Sequence, residues 1–162
     1  MDAMTNLDAD QQSDRDFSLL LDDQMCFALY AASRAVTGLY RPILEKLGLT
    51  YPQYLVLLAL WERDEVSVGE LGVALQLDYG TLTPLLKRLE ANGLLRRERR
   101  RDDERAVRIS LTEEGAALRQ RANSIPAAIG DAMGLDPEEF DQTRAALRRL
   151  TTNVAASTPA RR

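Results

Sequence analysis

Apolar residues recur at helical spacing from Leu19 to about Leu47 with no strong breaker between them, which predicts one long opening helix. Thr50-Tyr51-Pro52-Gln53 reads as a capping box with proline in the first turn, and it opens an apolar helix to about Arg63. A second box, Ser67-Val68-Gly69-Glu70, starts a short helix with Val68, Leu71, Ala74 and Leu75 turned inward and an end near Leu77. Asp78 caps the next helix, which runs to the stop signal Asn92-Gly93. The outcome is helix, tight turn, helix. Beyond Gly93, Leu94 to Arg99 and Ala106 to Leu111 predict two short strands around Arg100-Arg101-Asp102-Asp103-Glu104-Arg105, a basic hairpin that forms a wing. A helix from Glu113 to Met133, bent at Pro126, and another opened by Asp136-Pro137-Glu138-Glu139 and running to about Val154 complete the pattern.

The fold class that follows is mainly α with a small β-hairpin wing: a winged helix-turn-helix with N- and C-terminal dimerisation helices, since long helices at chain ends often serve dimers. Residues 1–18 form an acidic tail with too few apolar side chains to offset the entropy of ordering, read as disordered. The N-terminal helix takes 19–50, the winged helix-turn-helix 51–111, the C-terminal helices 112–156 and a frayed tail 157–162. At 162 residues the expectation is one compact unit with helical extensions.

Composition narrows the chemistry. Lys and Arg number 21 against 25 Asp and Glu, a net charge of −4, so the molecule is not one that coats nucleic acid indiscriminately. With no histidine and one cysteine, the chain cannot build a His-containing triad, an imidazole acid/base, a His-based zinc site, a CxxC site or an intramolecular disulfide. No metal and no cofactor are expected. The longest apolar run, Leu55 to Trp61, is too short to span a membrane, and the acidic N-terminus is unlike a signal peptide, so a soluble cytoplasmic protein with no membrane partner is expected.

One segment runs against the overall charge. From Lys87 to Arg108 there are nine basic residues and five acidic ones, the only stretch where a phosphate backbone meets a favourable field. Within Tyr79 to Ala91, Leu82, Leu85, Leu86 and Leu89 form one stripe, leaving Gly80, Thr83, Pro84, Lys87 and Arg88 on the opposite face. A small, hydroxylic, basic face suits base edges and phosphates in a major groove. Pro84 lies beyond the first turn, so a loose start or a bend is expected there. In the wing, Arg105 held by Asp103 is the arginine suited to a narrow minor groove.

The lone Cys26 has Tyr30 at i+4 and Ser33 at i+7, and Tyr40 at i+14 falls about 40° off the same stripe. A lone cysteine is commonly only a small hydrophobe. Here hydroxyls line its face, yet Tyr40 is about 21 Å along the helix and cannot touch Cys26 of its own chain. Two first helices crossing antiparallel in a dimer would bring Tyr40, and then Tyr51, to the other chain's sulfur. Phenols donating to sulfur favour the thiolate, the nucleophile toward a peroxide.

The segments LDDQMCFALYAASRAVTGLYRPILEKLGLTYPQYLVLLALWE and LDYGTLTPLLKRLEANGLLRRERRRDDERAVRISLTEEG resemble the MarR family of winged-helix regulators, specifically its organic hydroperoxide resistance branch (OhrR). The likeness spans about Leu19 to Met133 and leaves the acidic tail outside. It implies a homodimeric repressor of a peroxide-detoxifying gene, not an enzyme, that binds a pseudo-palindromic operator in double-stranded DNA. The candidate DNA-binding residues are then Tyr79, Gly80, Thr81, Thr83, Pro84, Lys87 and Arg88, with Arg100, Arg101, Asp103 and Arg105 in the wing. It also implies that Cys26 is the sensor thiol for an organic hydroperoxide inducer, with Tyr40 and Tyr51 of the partner subunit hydrogen-bonded to it and Tyr30 nearby. Lacking a second cysteine, the chain is of the one-cysteine type, whose sulfenic acid passes to a small cellular thiol as a mixed disulfide. Two rivals stand beside this reading: a MarR-type repressor released by an aromatic ligand, with Cys26 a passive core residue, and a thiol peroxidase.

Overall fold

The computed structural model describes residues 18–99 and 107–157; the acidic tail up to residue 17, the wing tip 100–106 with Arg100, Arg101, Asp103 and Arg105, and residues 158–162 lie outside that range. The contacts divide the chain into two units, 1–35 and 36–162, where one compact unit was expected. None of the described side chains before Val36 is buried, so the first unit has no core of its own.

A 3-10 turn at Leu21–Asp23 precedes α1, Met25–Glu45. The opening helix is therefore shorter at both ends than the Leu19 to Leu47 periodicity suggests. At its start Leu19 and Leu20 are exposed; past its end Leu49 N–H returns to the Leu44 carbonyl across Gly48, whose φ of +69° only glycine adopts cheaply. Pro42 stands inside α1, a breaker that the apolar pattern conceals. It removes the bond to the Gly38 carbonyl, and packing holds the last turns, with Leu44 buried and Val36, Tyr40 and Ile43 half-buried against the core.

The core of the second unit is built on α2, Tyr51–Glu62, which contributes Tyr54, Val56, Leu57 and Leu60. Its start is the anticipated box: Thr50 N–H donates to Gln53 Oε1 at 2.9 Å. Ser67 and Glu70 exchange the reciprocal bonds that open α3, Val68–Leu75. The inward stripe of α3 is Val68, Leu71 and the half-buried Leu75; Ala74 falls off it and is exposed, contrary to expectation. Next comes α4, Tyr79–Ala91, with Leu82, Leu86 and Leu89 buried as the periodicity requires and Leu85, expected in the same stripe, only half-buried. Its start is not loose: the Asp78 carboxylate accepts from Thr81 N–H and from the Thr81 hydroxyl, both at 2.9 Å, and the helix continues through Pro84 as one element.

The hairpin pairs β2, Leu95–Arg99, with β3, Val107–Leu111, from Leu95↔Leu111 to Arg99↔Val107. A third strand, β1, Val66–Ser67, lies on the far edge of β3, giving the order β1-β3-β2. The helix expected from Glu113 to Met133 is two helices, α5, Glu113–Ala122, and α6, Ile125–Met133. Pro126 has no N–H for the Ala122 carbonyl, so it sits in the first turn of a new helix instead of bending an old one. Asp136 and Glu139 cap α7, Pro137–Ser157, which runs three residues past the expected Val154 and buries no residue within the chain.

Backbone meets backbone at the root of the hairpin. The Thr112 hydroxyl donates to the Gly93 carbonyl at 2.6 Å, Thr112 N–H to the Leu94 carbonyl at 3.1 Å, and a Cβ on Gly115 would stand 1.9 Å from that Leu94 oxygen. Gly115→Ala is therefore expected to destabilise by about 3 kcal/mol or more in urea unfolding. Gly130→Ala, with open space around its Cβ, should change stability by at most about 1 kcal/mol.

Candidate functional site

The outward face of α4 holds Gly80, Pro84, Lys87 and Arg88, all exposed, with Thr83 half-buried and Tyr79 at 68% exposure beside the first turn. Lys87 and Arg88 pair with no carboxylate among the described residues. Two hydroxyls of this surface spend their protons inside the helix: Thr81 on Asp78, and Thr83 on the Tyr79 carbonyl at 2.8 Å. Each retains lone pairs for an incoming donor. Asp78 is held below its ordinary carboxylate range by the Thr81 N–H and hydroxyl, so it remains an ionised cap rather than a proton source.

Not every arginine of the basic segment is available. Arg97 is fastened to Glu90 by Nε at 2.7 Å and a terminal nitrogen at 2.6 Å, and its N–H donates to the same carboxylate, which ties β2 to the end of α4. Arg108 pairs with Glu65 at 3.4 Å. Arg97 serves the fold, whereas the Arg108 pair is an exposed surface contact, a distinction that charge counting cannot show.

The sensor candidates fall in both units. In the first, Cys26 is a free, exposed thiol, and Tyr30 is exposed with the Arg34 guanidinium 5.4 Å from its ring centroid and a terminal nitrogen 3.4 Å from its hydroxyl. In the second, the α1–α2 corner brings Tyr40 and Tyr51 together, ring centroids 4.6 Å apart. Tyr54, which the sequence reading did not single out, stands 5.8 Å from Tyr40, and Trp61 lies edge-on 6.2 Å beyond Tyr54. Its spacing of three from Tyr51 on one helix was the available signal.

Burial, reinforced by the neighbouring Tyr51 and Tyr54 phenols, pushes the Tyr40 hydroxyl up to about 12; burial also raises Tyr51 and Tyr54. All three are therefore O–H donors at neutral pH. Because the fold favours the protonated phenol, the linked stability is complete below the ordinary value of 10.0 and is lost as pH climbs toward about 12. Urea unfolding across that window should show a falling midpoint, and Tyr40→Phe should flatten part of the fall.

Among the described residues no helix is long and apolar enough to cross a membrane, and no three His, Cys, Asp or Glu side chains cluster as a metal site. The family described as transcriptional regulator SarA/Rot matches residues 38–121. The chain is 50% identical over 130 residues to the organic hydroperoxide resistance transcriptional regulator of Bacillus subtilis (strain 168), covering 80% of this chain and 88% of that one. It is also 50% identical to the HTH-type transcriptional regulator TtmR of Methylorubrum extorquens (strain PA1), over 87% of this chain and 71% of the relative. Among solved structures, reduced AbfR bound to DNA aligns with a TM-score of 0.73 and 37% identity, over 84% of this chain and 93% of that one; AbfR is a Staphylococcus epidermidis protein. The capped helix-turn-helix, the hairpin behind it and these likenesses converge: the chain belongs to the MarR family of winged-helix transcriptional regulators, in its OhrR branch, and carries a single cysteine.

Proposed function

We propose that the chain is a homodimeric repressor that holds a pseudo-palindromic duplex through α4 and the wing, and that lets go when an organic hydroperoxide oxidises Cys26. The observation that carries this reading is the Tyr40–Tyr51 pair: two protonated phenols held ring to ring, in a chain half identical to a hydroperoxide-resistance regulator. A dimer is supported by apolar side chains that the single chain leaves in water. Leu20, Met25 and Phe27 are exposed in the first unit, and Leu147 and Leu150 on an α7 with no buried residue. A 21-residue helix without a packed face does not stand by itself in water. The fourteen-residue separation of Cys26 and Tyr40, about 21 Å along one helix, keeps the chain's own Tyr40 from its sulfur and so supports the partner's phenols as the donors.

In the proposed step the Cys26 thiolate attacks the hydroperoxide. An S–O bond forms, the O–O bond breaks, and the alcohol departs with a proton while sulfur loses two electrons and becomes a sulfenic acid. Condensation with a small cellular thiol then forms an S–S bond and releases water. Each addition enlarges the group against the phenols and biases the dimer away from the spacing of about 34 Å between successive major grooves. Lys87 and Arg88 meet phosphate, the α4 N-terminal residues meet bases, and Arg105 with Asp103, Arg100 and Arg101 serve the flanking minor groove.

The decisive variant is Cys26→Ser. On a duplex selected from random sequences by the reduced protein, it should bind as the wild type does yet stay bound when cumene hydroperoxide is added. Release equal to that of the wild type would remove Cys26 from the trigger. Lys87→Ala should lower the slope of log affinity against log salt by about one, and an unchanged slope would take Lys87 off the phosphate.

A further inference from the structure

We propose that Tyr54 and Trp61 are positioning residues that carry a displacement of the Tyr40–Tyr51 pair to the root of the wing. The inference rests on the sensor reading above and adds the route by which an event at the phenols reaches the DNA-reading elements.

The route is a line of ring contacts that ends on one hydrogen bond. Tyr54 is 2% exposed, with Tyr40 at 5.8 Å on one side and the Trp61 ring edge-on at 6.2 Å on the other. Trp61 lies seven residues after Tyr54 on the same face of α2, and its Nε1–H donates to the Gly115 carbonyl at 2.9 Å, in the first turn of α5. At that corner Gly115 leaves no room for a Cβ against the Leu94 carbonyl, and Thr112 bonds both Gly93 and Leu94. Here α4 has just ended, β2 begins and β3 has ended, so Trp61 is anchored where the recognition helix and both wing strands meet. A close-packed interior passes on a shift of one ring to the next because it has no slack to absorb it. The part-buried indole N–H is satisfied by that one carbonyl, which fixes the ring's orientation at the corner. The indole N–H makes the last link directional.

Trp61 is the chain's only tryptophan, so its emission reports on this link alone. Reduced full-length protein is treated with cumene hydroperoxide while Trp61 emission, trapped sulfenic acid and binding to the selected duplex are followed together. In the wild type, emission should change as the sulfenic acid forms, and in Cys26→Ser it should stay constant. Trp61→Phe keeps a ring but loses the N–H: it should bind the duplex when reduced and oxidise at the wild-type rate, while the peroxide-induced loss of affinity shrinks by about three- to tenfold. Tyr54→Phe, which keeps both ring contacts, should restore wild-type coupling, whereas Tyr54→Leu should weaken it. Constant wild-type emission during oxidation and release overturns the route without touching the sensor, and this outcome needs no variant to fold. Full release of Trp61→Phe does the same. If no sulfenic acid forms at Cys26 in the wild type, the sensor reading falls and this inference with it.

Discussion

The contact between Tyr40 and Tyr51 is the constraint on which the account depends. Nothing in either helix alone would hold two phenols 4.6 Å apart. The Gly48 turn ends α1, Thr50 and Gln53 start α2 within a few residues, and the buried Leu44, Leu49 and Tyr54 seat the corner on the core. The same burial that excludes water raises the Tyr40 hydroxyl further above neutral pH, so the corner presents protonated phenols.

The DNA side obeys a different logic. A protein of net charge −4 must present its positive field locally. It does so by fastening Arg97 onto Glu90 and leaving Lys87 and Arg88 at the surface of α4. Arg97 is not idle, since the Glu90 clasp ties β2 to the end of α4.

What could be read beforehand was local. The boxes at Thr50, Ser67 and Asp136, the Asp78 cap and the leucine stripe of α4 are decided by residues within one or two turns of each other, and they are where the pattern put them. Features settled by distant partners escaped. The two-residue strand Val66–Ser67 exists only because Ile109 and Arg108 lie opposite it, and the Trp61–Gly115 bond joins positions 54 residues apart. Pro42 shows the converse: a local breaker is overruled by packing of the α1 end, while Pro126, close to a turn, divides a helix. Ala74 was misplaced because at 100° per residue it lies about 120° round α3 from Val68, off the face that Val68, Leu71 and Leu75 share. Cys26 and the phenols were legible as residue types at suggestive spacing; Tyr54 was not, because its importance lies in what touches it.

The central claim, that phenols of one chain act on the sulfur of the other, is tested most directly by mixing two disabled proteins. One carries Cys26→Ser, the other both Tyr40→Phe and Tyr51→Phe, and the rate of sulfenic acid formation with cumene hydroperoxide is measured before and after subunits exchange. Action between chains predicts that each mixed dimer regains one intact site, so a fast phase at the wild-type rate appears on mixing. A rate that stays as slow as that of the double tyrosine variant alone would contradict the account.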